Sequence, residues 1–211
     1  MRTFVTGLLL LVAAGCKAKE SAPPAPTPPD TLTTAAVPTD TAAHGKATES
    51  AVAPEVNPPG DISDTQAFVK YTSPSGGYEL DVPEGWARTE NGTDVIFVNK
   101  FDGVKVAVAT AAAAPTTASV RANEAKRIQS QGHAVTITSV SEINFPVGKA
   151  VVVRYTSNSD PNSVTNKMVR LENESYIYFH NGKEATLALW APQGADNVEQ
   201  WNRMSKSFRW R

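Results

Sequence analysis

Few residues in this sequence have side chains that commonly perform covalent or metal chemistry. The 211 residues contain one cysteine, Cys16, and three histidines, two of which, His133 and His180, lie in the second half of the chain. A single cysteine excludes an intrachain disulfide framework and any site with several thiolate ligands. The sequence has no His-Glu-x-x-His, Gly-x-Ser-x-Gly or phosphate-loop pattern. We therefore expect a protein that is not an enzyme.

The two histidines could form a metal site only if the fold brings them together. His133 follows Gly132 at the predicted start of a strand, and His180 precedes the Asn181-Gly182 turn. With a nearby carboxylate, such a pair could hold zinc. Because two scattered histidines are more often surface residues, we expect no metal site and no cofactor.

The residues before Cys16 are typical of a secretion signal. Arg2 supplies a positive charge, and Phe4–Ala14 is an apolar run that is too short to cross a hydrocarbon layer of about 30 Å as a helix. The small residues Ala13-Ala14-Gly15 then precede Cys16 directly. Residues 1–15 are therefore predicted to be a signal peptide.

The segment Ala13-Ala14-Gly15-Cys16 resembles the lipobox of bacterial lipoproteins, although that family more often has Leu at the position of Ala13. The resemblance implies cleavage before Cys16, a diacylglycerol on its thiol and often a further acyl chain. Two or more acyl chains hold a protein stably at a membrane. We expect a membrane-anchored protein outside the cytoplasm. Lys17 rather than Asp resembles lipoproteins of the outer membrane, which would place the domain on the periplasmic side in a diderm cell.

Residues 16–60 are predicted to be the lipidated Cys16 followed by a disordered tether. This stretch is rich in Pro, Ala and Thr and has too few large apolar side chains to offset the entropy of ordering its backbone. Its reach runs from about 35–40 Å as a flexible coil to roughly 135 Å when extended. Residues 61–211 are then the folded domain.

The domain gives no electrostatic indication of its partner. From Asp61 onward the sequence has sixteen acidic and sixteen basic residues. A balanced charge does not favour nucleic acid or an anionic membrane surface. We expect a monomer whose partners are the membrane, through its lipid, and an unknown envelope protein.

The domain alternates between strand and helix patterns. Nine short segments are typical of strands, some by alternating apolar and polar residues and some as short apolar runs, with turns predicted at Asp102-Gly103 and Asn181-Gly182. The segment from Thr117 to Gly132 has a helical period, as does the segment that begins at Asp196. Sequential strands joined by turns predict an α+β fold with a central, mainly antiparallel sheet covered by helices. The predicted strands are 67–72, 78–82, 95–98, 104–109, 134–140, 149–155, 166–171, 176–179 and 185–190.

Two helical faces follow from the spacing of apolar residues. In the first helix the predicted buried face contains Ala118, Ala122, Ala125 and Ile128. In the second it contains Val198, Trp201, Met204 or Ser205, and Phe208. Asp196-Asn-Val-Glu has a capping-box pattern.

One motif resembles a known family. The segment from Gly77 to Trp86 is similar to the opening signature of PsbP-like domains, and the order of elements after it is also similar. The resemblance covers about residues 66–211 and implies an α/β/α sandwich. It also implies docking rather than catalysis, since most members act as accessory subunits, assembly factors or transport cofactors. The signature residues are Gly77, Tyr78, Pro83, Gly85 and Trp86.

Three functions remain open at this stage. The first is docking to an envelope partner, with Tyr176 and Tyr178 as a possible exposed aromatic surface, although such residues are more often part of the core. The second is binding of a small ligand or lipid in a cavity between sheet and helix, which an apolar pocket of about 300 Å³ or more with converging polar groups would favour. The third, an enzyme, requires a cleft that unites a histidine with carboxylates.

Overall fold

The computed structural model describes residues 49–211, so Cys16, the predicted signal peptide and most of the predicted tether lie outside it. Three helices and ten strands follow one another along the described chain. The strands are β1 (Phe68–Ser73), β2 (Tyr78–Pro83), β3 (Ala87–Asn91), β4 (Asp94–Asn99), β5 (Asp102–Thr110), β6 (His133–Phe145), β7 (Gly148–Asn158), β8 (Arg170–His180), β9 (Lys183–Pro192) and β10 (Arg209–Trp210). The helices are α1 (Thr117–Ala122), α2 (Glu124–Gln131) and α3 (Val198–Ser207).

Seven strands form one antiparallel sheet in the order β3-β4-β5-β9-β8-β7-β6. Most neighbouring strands in this sheet are joined by short turns, whereas residues 159–169 join β7 to β8. The one non-sequential pair, β5 with β9, brings the first half of the domain beside the second. The remaining strands form a three-stranded antiparallel sheet in the order β1-β2-β10. The predicted antiparallel sheet is confirmed.

One face of the large sheet carries most of the core. Tyr178 and Leu187 project from it and pack among residues of the small sheet and α3, including Leu80, Met204 and Phe208. These five side chains are at most 3% exposed. The alternation of apolar residues in β2, β8 and β9 produces this face, because every second side chain of a strand points to the same side.

The opposite face of the large sheet is covered only in part. The helices α1 and α2 contact β6 and enclose a second cluster that includes Val120, Ala125 and Val153. Over β5 and β9 the side chains on this face stay exposed or half-buried, as with Lys105 and Ala188. The helix-covered sandwich is therefore matched only in part, since two short helices cover one side of a sheet seven strands wide.

The first predicted helix is in fact two helices. Asn123 lies between them with φ −116° and ψ −74°, and the interruption changes which residues face the sheet. Val120 and Ala125 are buried, whereas the predicted Ala118 and Ala122 are exposed. The predicted end of the helix at Gly132 is confirmed.

Two further predictions about local structure were wrong. The turn between β4 and β5 is formed by Lys100 and Phe101, and the predicted turn residues Asp102 and Gly103 begin β5 instead. The predicted strands 166–171 and 176–179 are not separate, because residues 170–180 form the continuous strand β8. By contrast, the turn at Asn181-Gly182 is confirmed; both residues have positive φ, as a tight hairpin requires.

The last part of the predicted tether lies against the domain. We call residues 49–62 the strap. The backbone N–H of Val52 donates to Asn158 Oδ1 (3.0 Å), and Lys167 Nζ lies 2.6 Å from Glu55 Oε1. Farther along, the side chain of Asn197 donates to Gly60 O (2.8 Å). Residues 49–60 are thus ordered, contrary to the prediction, because partners distant in sequence satisfy their backbone groups.

The helices within residues 49–211 are all too short or too polar to cross a membrane.

Candidate functional site

A groove of about 910 Å³ lies on the partly covered face of the large sheet, beside α2. Its floor is formed by β5, β9 and β8, and Ile128 of α2 stands on one side. The groove exists because the floor carries small side chains, among them Ala107, Ala188 and Thr186, which cannot fill the space beside the helix.

Trp190 forms one end of the floor. Its strand partner is Gly103, and a Cβ atom at that glycine would lie 1.8–2.4 Å from three atoms of the benzene ring of the indole. The ring therefore rests directly on the backbone of β5, which only glycine permits. Trp190 stays half-buried and lines the groove. The outer face of the indole is thus a flat apolar surface.

The middle of the floor is polar. Asn173 and Ser175 of β8, and Ser157 of β7, line the groove, although each is at most 7% exposed. Asn173 Nδ2 donates to Ser157 Oγ (3.1 Å), which links the two strands through their side chains. Asn173 Nδ2 also lies 3.4 Å from Tyr155 O, so these buried groups find hydrogen-bond partners within the sheet.

Charged groups stand where α2 meets the sheet. Arg127 of α2 donates to both carboxylate oxygens of Glu124, at 2.5 and 2.8 Å, and this hydrogen bonding raises the pKa of Arg127. Burial, and then the charge of Glu124, raise the pKa of Glu184 on β9. Burial likewise raises the pKa of Tyr155. The groove can therefore offer both hydrogen-bond donors and acceptors along this wall.

The strap contacts the domain beside residues that line the groove. His133 Nδ1 lies 2.7 Å from Glu49 Oε2, and its Nε2 lies 3.3 Å from Asp160 Oδ1. Asn158 Nδ2 donates to Glu49 Oε1 (2.7 Å) and to Ser50 O (3.0 Å). The strap therefore begins at residues that line the groove.

His133 and His180 do not meet. His133 pairs with Asn158 of β7, which in turn pairs with Arg170 at the start of β8. His180 lies at the opposite end of that eleven-residue strand. At about 3.3 Å per residue, the two histidines are roughly 30 Å apart. Within residues 49–211 the structure has no group of three His, Cys, Asp or Glu side chains that could hold a metal ion.

Tyr176 and Tyr178 do not form the possible docking surface, because both are core residues. These side chains are 2% and 3% exposed and lie in the main core, where each ring packs beside Phe145. The hydroxyl of Tyr178 donates to Ser205 O (2.7 Å), and that of Tyr176 donates to Glu174. Both tyrosines point to the core face because even-numbered residues of β8 do so.

The residues of the predicted signature form a corner of the small sheet. Tyr78 is fully buried and its hydroxyl donates to Thr93 O (3.1 Å), and Pro83 ends β2. Gly85 then adopts φ +84°, and Trp86 packs against the edge of the core. Gly77 precedes β2 with φ +70°. These side chains lie on the core side, so they contribute to folding and do not line the groove.

Local sequence patterns do not indicate the groove, because Trp190 only ends a predicted strand and Gly103 lies in a predicted turn. The signal that could have found the site is the pairing of a tryptophan with a glycine on neighbouring strands, which requires knowing that β5 pairs with β9.

The fold is similar to that of cyanobacterial PsbP (CyanoP) from Synechocystis sp. PCC 6803, with a TM-score of 0.51, 13% sequence identity, and coverage of 72% of this chain and 99% of that chain. The fold is PsbP-like. The expected resemblance is confirmed at the level of the fold, and at this identity it shows the fold alone.

Two other solved structures align less closely. The Saccharomyces cerevisiae Ran-binding protein Mog1p has a TM-score of 0.47 at 8% identity, covering 69% of this chain and 96% of that chain. A Pseudomonas aeruginosa protein of unknown function, described as a putative regulator, has a TM-score of 0.46 at 12% identity, covering 68% and 97%. Neither a family model nor a curated protein sequence matches the chain.

Proposed function

We propose that this chain is a membrane-anchored lipoprotein whose PsbP-like domain binds a ligand in the groove and does not catalyse a reaction. The observation that carries the proposal is the groove itself. Its volume of about 910 Å³ is within the range of about 300–1,000 Å³ typical of ligand sites. It also combines a flat aromatic surface at Trp190 with polar groups that converge on one floor.

The arrangement of groups in the groove supports binding rather than chemistry. The histidine at its end, His133, has both ring nitrogens directed at carboxylates, Glu49 and Asp160. Arg127 and Glu124 are engaged with each other. A PsbP-like fold agrees with this, since the family resemblance of the sequence implies docking rather than catalysis.

The anchor part of the proposal depends on Cys16. Acylation of that thiol would hold the domain at a membrane through residues 17–48 and the strap. Detergent phase partitioning of the full chain against Cys16→Ser tests it. We expect the wild type in the detergent phase and the variant in the aqueous phase; two aqueous proteins would contradict the anchor.

The ligand part is tested by filling the groove. Ala188 lies half-buried on the floor between Lys105 and Ser175, so Ala188→Phe would place a ring where the ligand lies. Thr89→Phe is the matched control, because Thr89 is an exposed strand residue of β3. The wild type and both variants would be purified from their own membranes, and the small molecules they release would be identified by mass spectrometry. We expect a compound that accompanies the wild type and Thr89→Phe but not Ala188→Phe; identical profiles for all three would contradict the proposal.

Docking to an envelope protein is a second candidate, and one observation favours it. Val98 and Phe101 are 37% and 38% exposed beside the groove, in β4 and in the turn after it. Exposed apolar residues at a rim are typical of transient interfaces. Site-specific photo-crosslinking from position 101 in intact cells tests this candidate. A discrete crosslinked protein that is lost in Val98→Asp would support docking, and the absence of any crosslink would exclude this rim.

A further inference from the structure

The groove has features that narrow its ligand to one chemical class. We propose that it binds a neutral oligosaccharide, with one sugar ring stacked on Trp190. This inference rests on the proposed ligand-binding function and adds the class of ligand to it.

The charges around the groove cancel. The cationic side chains that line it are Lys100, Lys105, Arg127 and Lys167. The anionic ones are Asp94, Glu124, Asp160 and Glu184. With four of each sign, the groove has no net attraction for a phosphate, a nucleotide or a cation, since binding of such ligands depends on an excess of opposite charge. The N-terminus of α2, which would otherwise favour an anion, carries Glu124.

The floor is too polar for a lipid chain. Asn173, Ser175 and Ser157 lie beneath the centre of the groove. An acyl chain there would also cover the charged side chains of Lys105 and Glu184, which line the same floor strands, without offering them hydrogen bonds, which is unfavourable. A polyhydroxylated ligand both donates and accepts, so it can pair with the ammonium group of Lys105 and the carboxyl group of Glu184.

The floor is also unsuited to an extended peptide. Peptides that bind to sheets usually add a strand at an open edge, where backbone groups are free. Here the floor strand β9 is in the interior of the sheet, paired with β5 on one side and β8 on the other. Its backbone N–H and C=O groups are therefore engaged, and a ligand on this face must be held by side chains.

Trp190 provides what a sugar ring requires. The indole lies on Gly103, so its outer face is parallel to the floor rather than upright. The axial C–H groups of a pyranose pack on such a face, while its equatorial hydroxyls point sideways. From Trp190 the floor continues over the small residues Ala188 and Ala107, which leaves room for further rings.

The test is a glycan array that carries both neutral and anionic oligosaccharides, probed with the full chain in a detergent whose head group contains no sugar. We expect binding to neutral glycans. Calorimetry with the best of them should give at least tenfold weaker affinity for Trp190→Ala and for Ala188→Phe. Affinity should be unchanged for Trp210→Phe, which alters a tryptophan outside the groove. Circular dichroism and thermal unfolding show which variants remain folded; Trp190→Phe, a milder change, replaces Trp190→Ala if the latter does not fold.

Saturation-transfer NMR adds a readout of geometry, because the C–H protons of one sugar ring should receive the strongest transfer, and Trp190→Phe should reduce it. Three results would overturn the oligosaccharide assignment. The wild type could bind only anionic glycans, it could bind no glycan, or Ala188→Phe could bind the glycans with the same affinity as the wild type. In those cases mass spectrometry of the small molecules that accompany the wild type but not Ala188→Phe shows whether only the ligand class is wrong or ligand binding itself is wrong. If such a compound exists, ligand binding stands and only the class is wrong; if none exists, the proposed function fails as well.

Discussion

Replacement of Asp102 by Asn should change how the stability of the domain depends on pH. Asp102 begins β5 and is 5% exposed, and its Oδ1 accepts no hydrogen bond from any residue between 49 and 211. The strap passes closely over it, since a Cβ atom at Gly60 would lie 3.1 Å from that oxygen. Burial, and then the negative charge of Asp61, raise the pKa of Asp102 from 3.8 to about 7.

The direction of the effect follows from the raised pKa. The folded state prefers the protonated carboxyl, whereas the unfolded chain loses the proton near its usual pKa of 3.8. The contribution of Asp102 to the stability of the folded state is therefore fully present below about pH 4. It is lost as the pH rises through the folded-state pKa of about 7. A difference of about three pH units at 1.36 kcal/mol each corresponds to roughly 4 kcal/mol.

An asparagine at this position cannot ionise, so Asp102→Asn should remove that loss. The buried amide has its own cost of about 1–3 kcal/mol, which does not depend on pH. The informative quantity is therefore the change with pH of the difference in unfolding free energy between variant and wild type. We expect this difference to shift by about 3–4 kcal/mol in favour of the variant between pH 4 and pH 8.

Urea unfolding in a Cys16→Ser background, followed by tryptophan fluorescence, measures this quantity. Glu84→Gln is the control, because Glu84 is an exposed acid in the turn after β2, and it should show no comparable shift. The reasoning is refuted if Asp102→Asn differs from the wild type by the same amount at both pH values. It is also refuted if the variant loses stability, relative to the wild type, as the pH rises.

Three further changes test the packing described above. Gly103→Ala should destabilise the domain by about 1–3 kcal/mol in urea unfolding, because a methyl group would overlap the indole of Trp190; an unchanged midpoint would show that the ring does not lie there. Tyr178→Phe should cost about 1 kcal/mol through loss of its hydrogen bond to Ser205, whereas no cost would mean that the bond contributes nothing. Asn158→Ala removes partners of Glu49, Ser50 and Val52, so limited proteolysis should cut residues 49–60 faster while the rest of the domain stays intact; equal rates would show that Asn158 does not hold the strap.

Local patterns were sufficient for the elements whose residues interact with near neighbours. The hairpin at Asn181-Gly182 follows from two residues that tolerate positive φ, and it was predicted correctly. Trp201, Met204 and Phe208 are buried at or next to α3, as their helical spacing predicted, whereas Val198 of the same predicted face is exposed. The antiparallel pairing of successive strands was likewise predicted from the turns between them.

Features that depend on distant residues were missed. Gly103 could be interpreted only as a turn residue until β9 was known to place Trp190 on it. The strap has the composition of a disordered segment, but Asn158 and Asn197 supply hydrogen bonds that composition cannot reveal. Likewise, the sequence left Tyr176 and Tyr178 as either exposed or core residues, and packing against Phe145 decides for the core.

The contact between Trp190 and Gly103 also has a consequence for how the two positions can vary over evolution. A side chain at position 103 is compatible with the fold only if position 190 carries something smaller than an indole, so the two should change together among homologous chains. Where Trp190 is replaced by a small residue, the constraint on position 103 disappears and ordinary β-forming residues such as Val or Thr become favourable there. Correlated substitution at these two positions would thus identify which homologues have kept the flat aromatic surface and which have lost it.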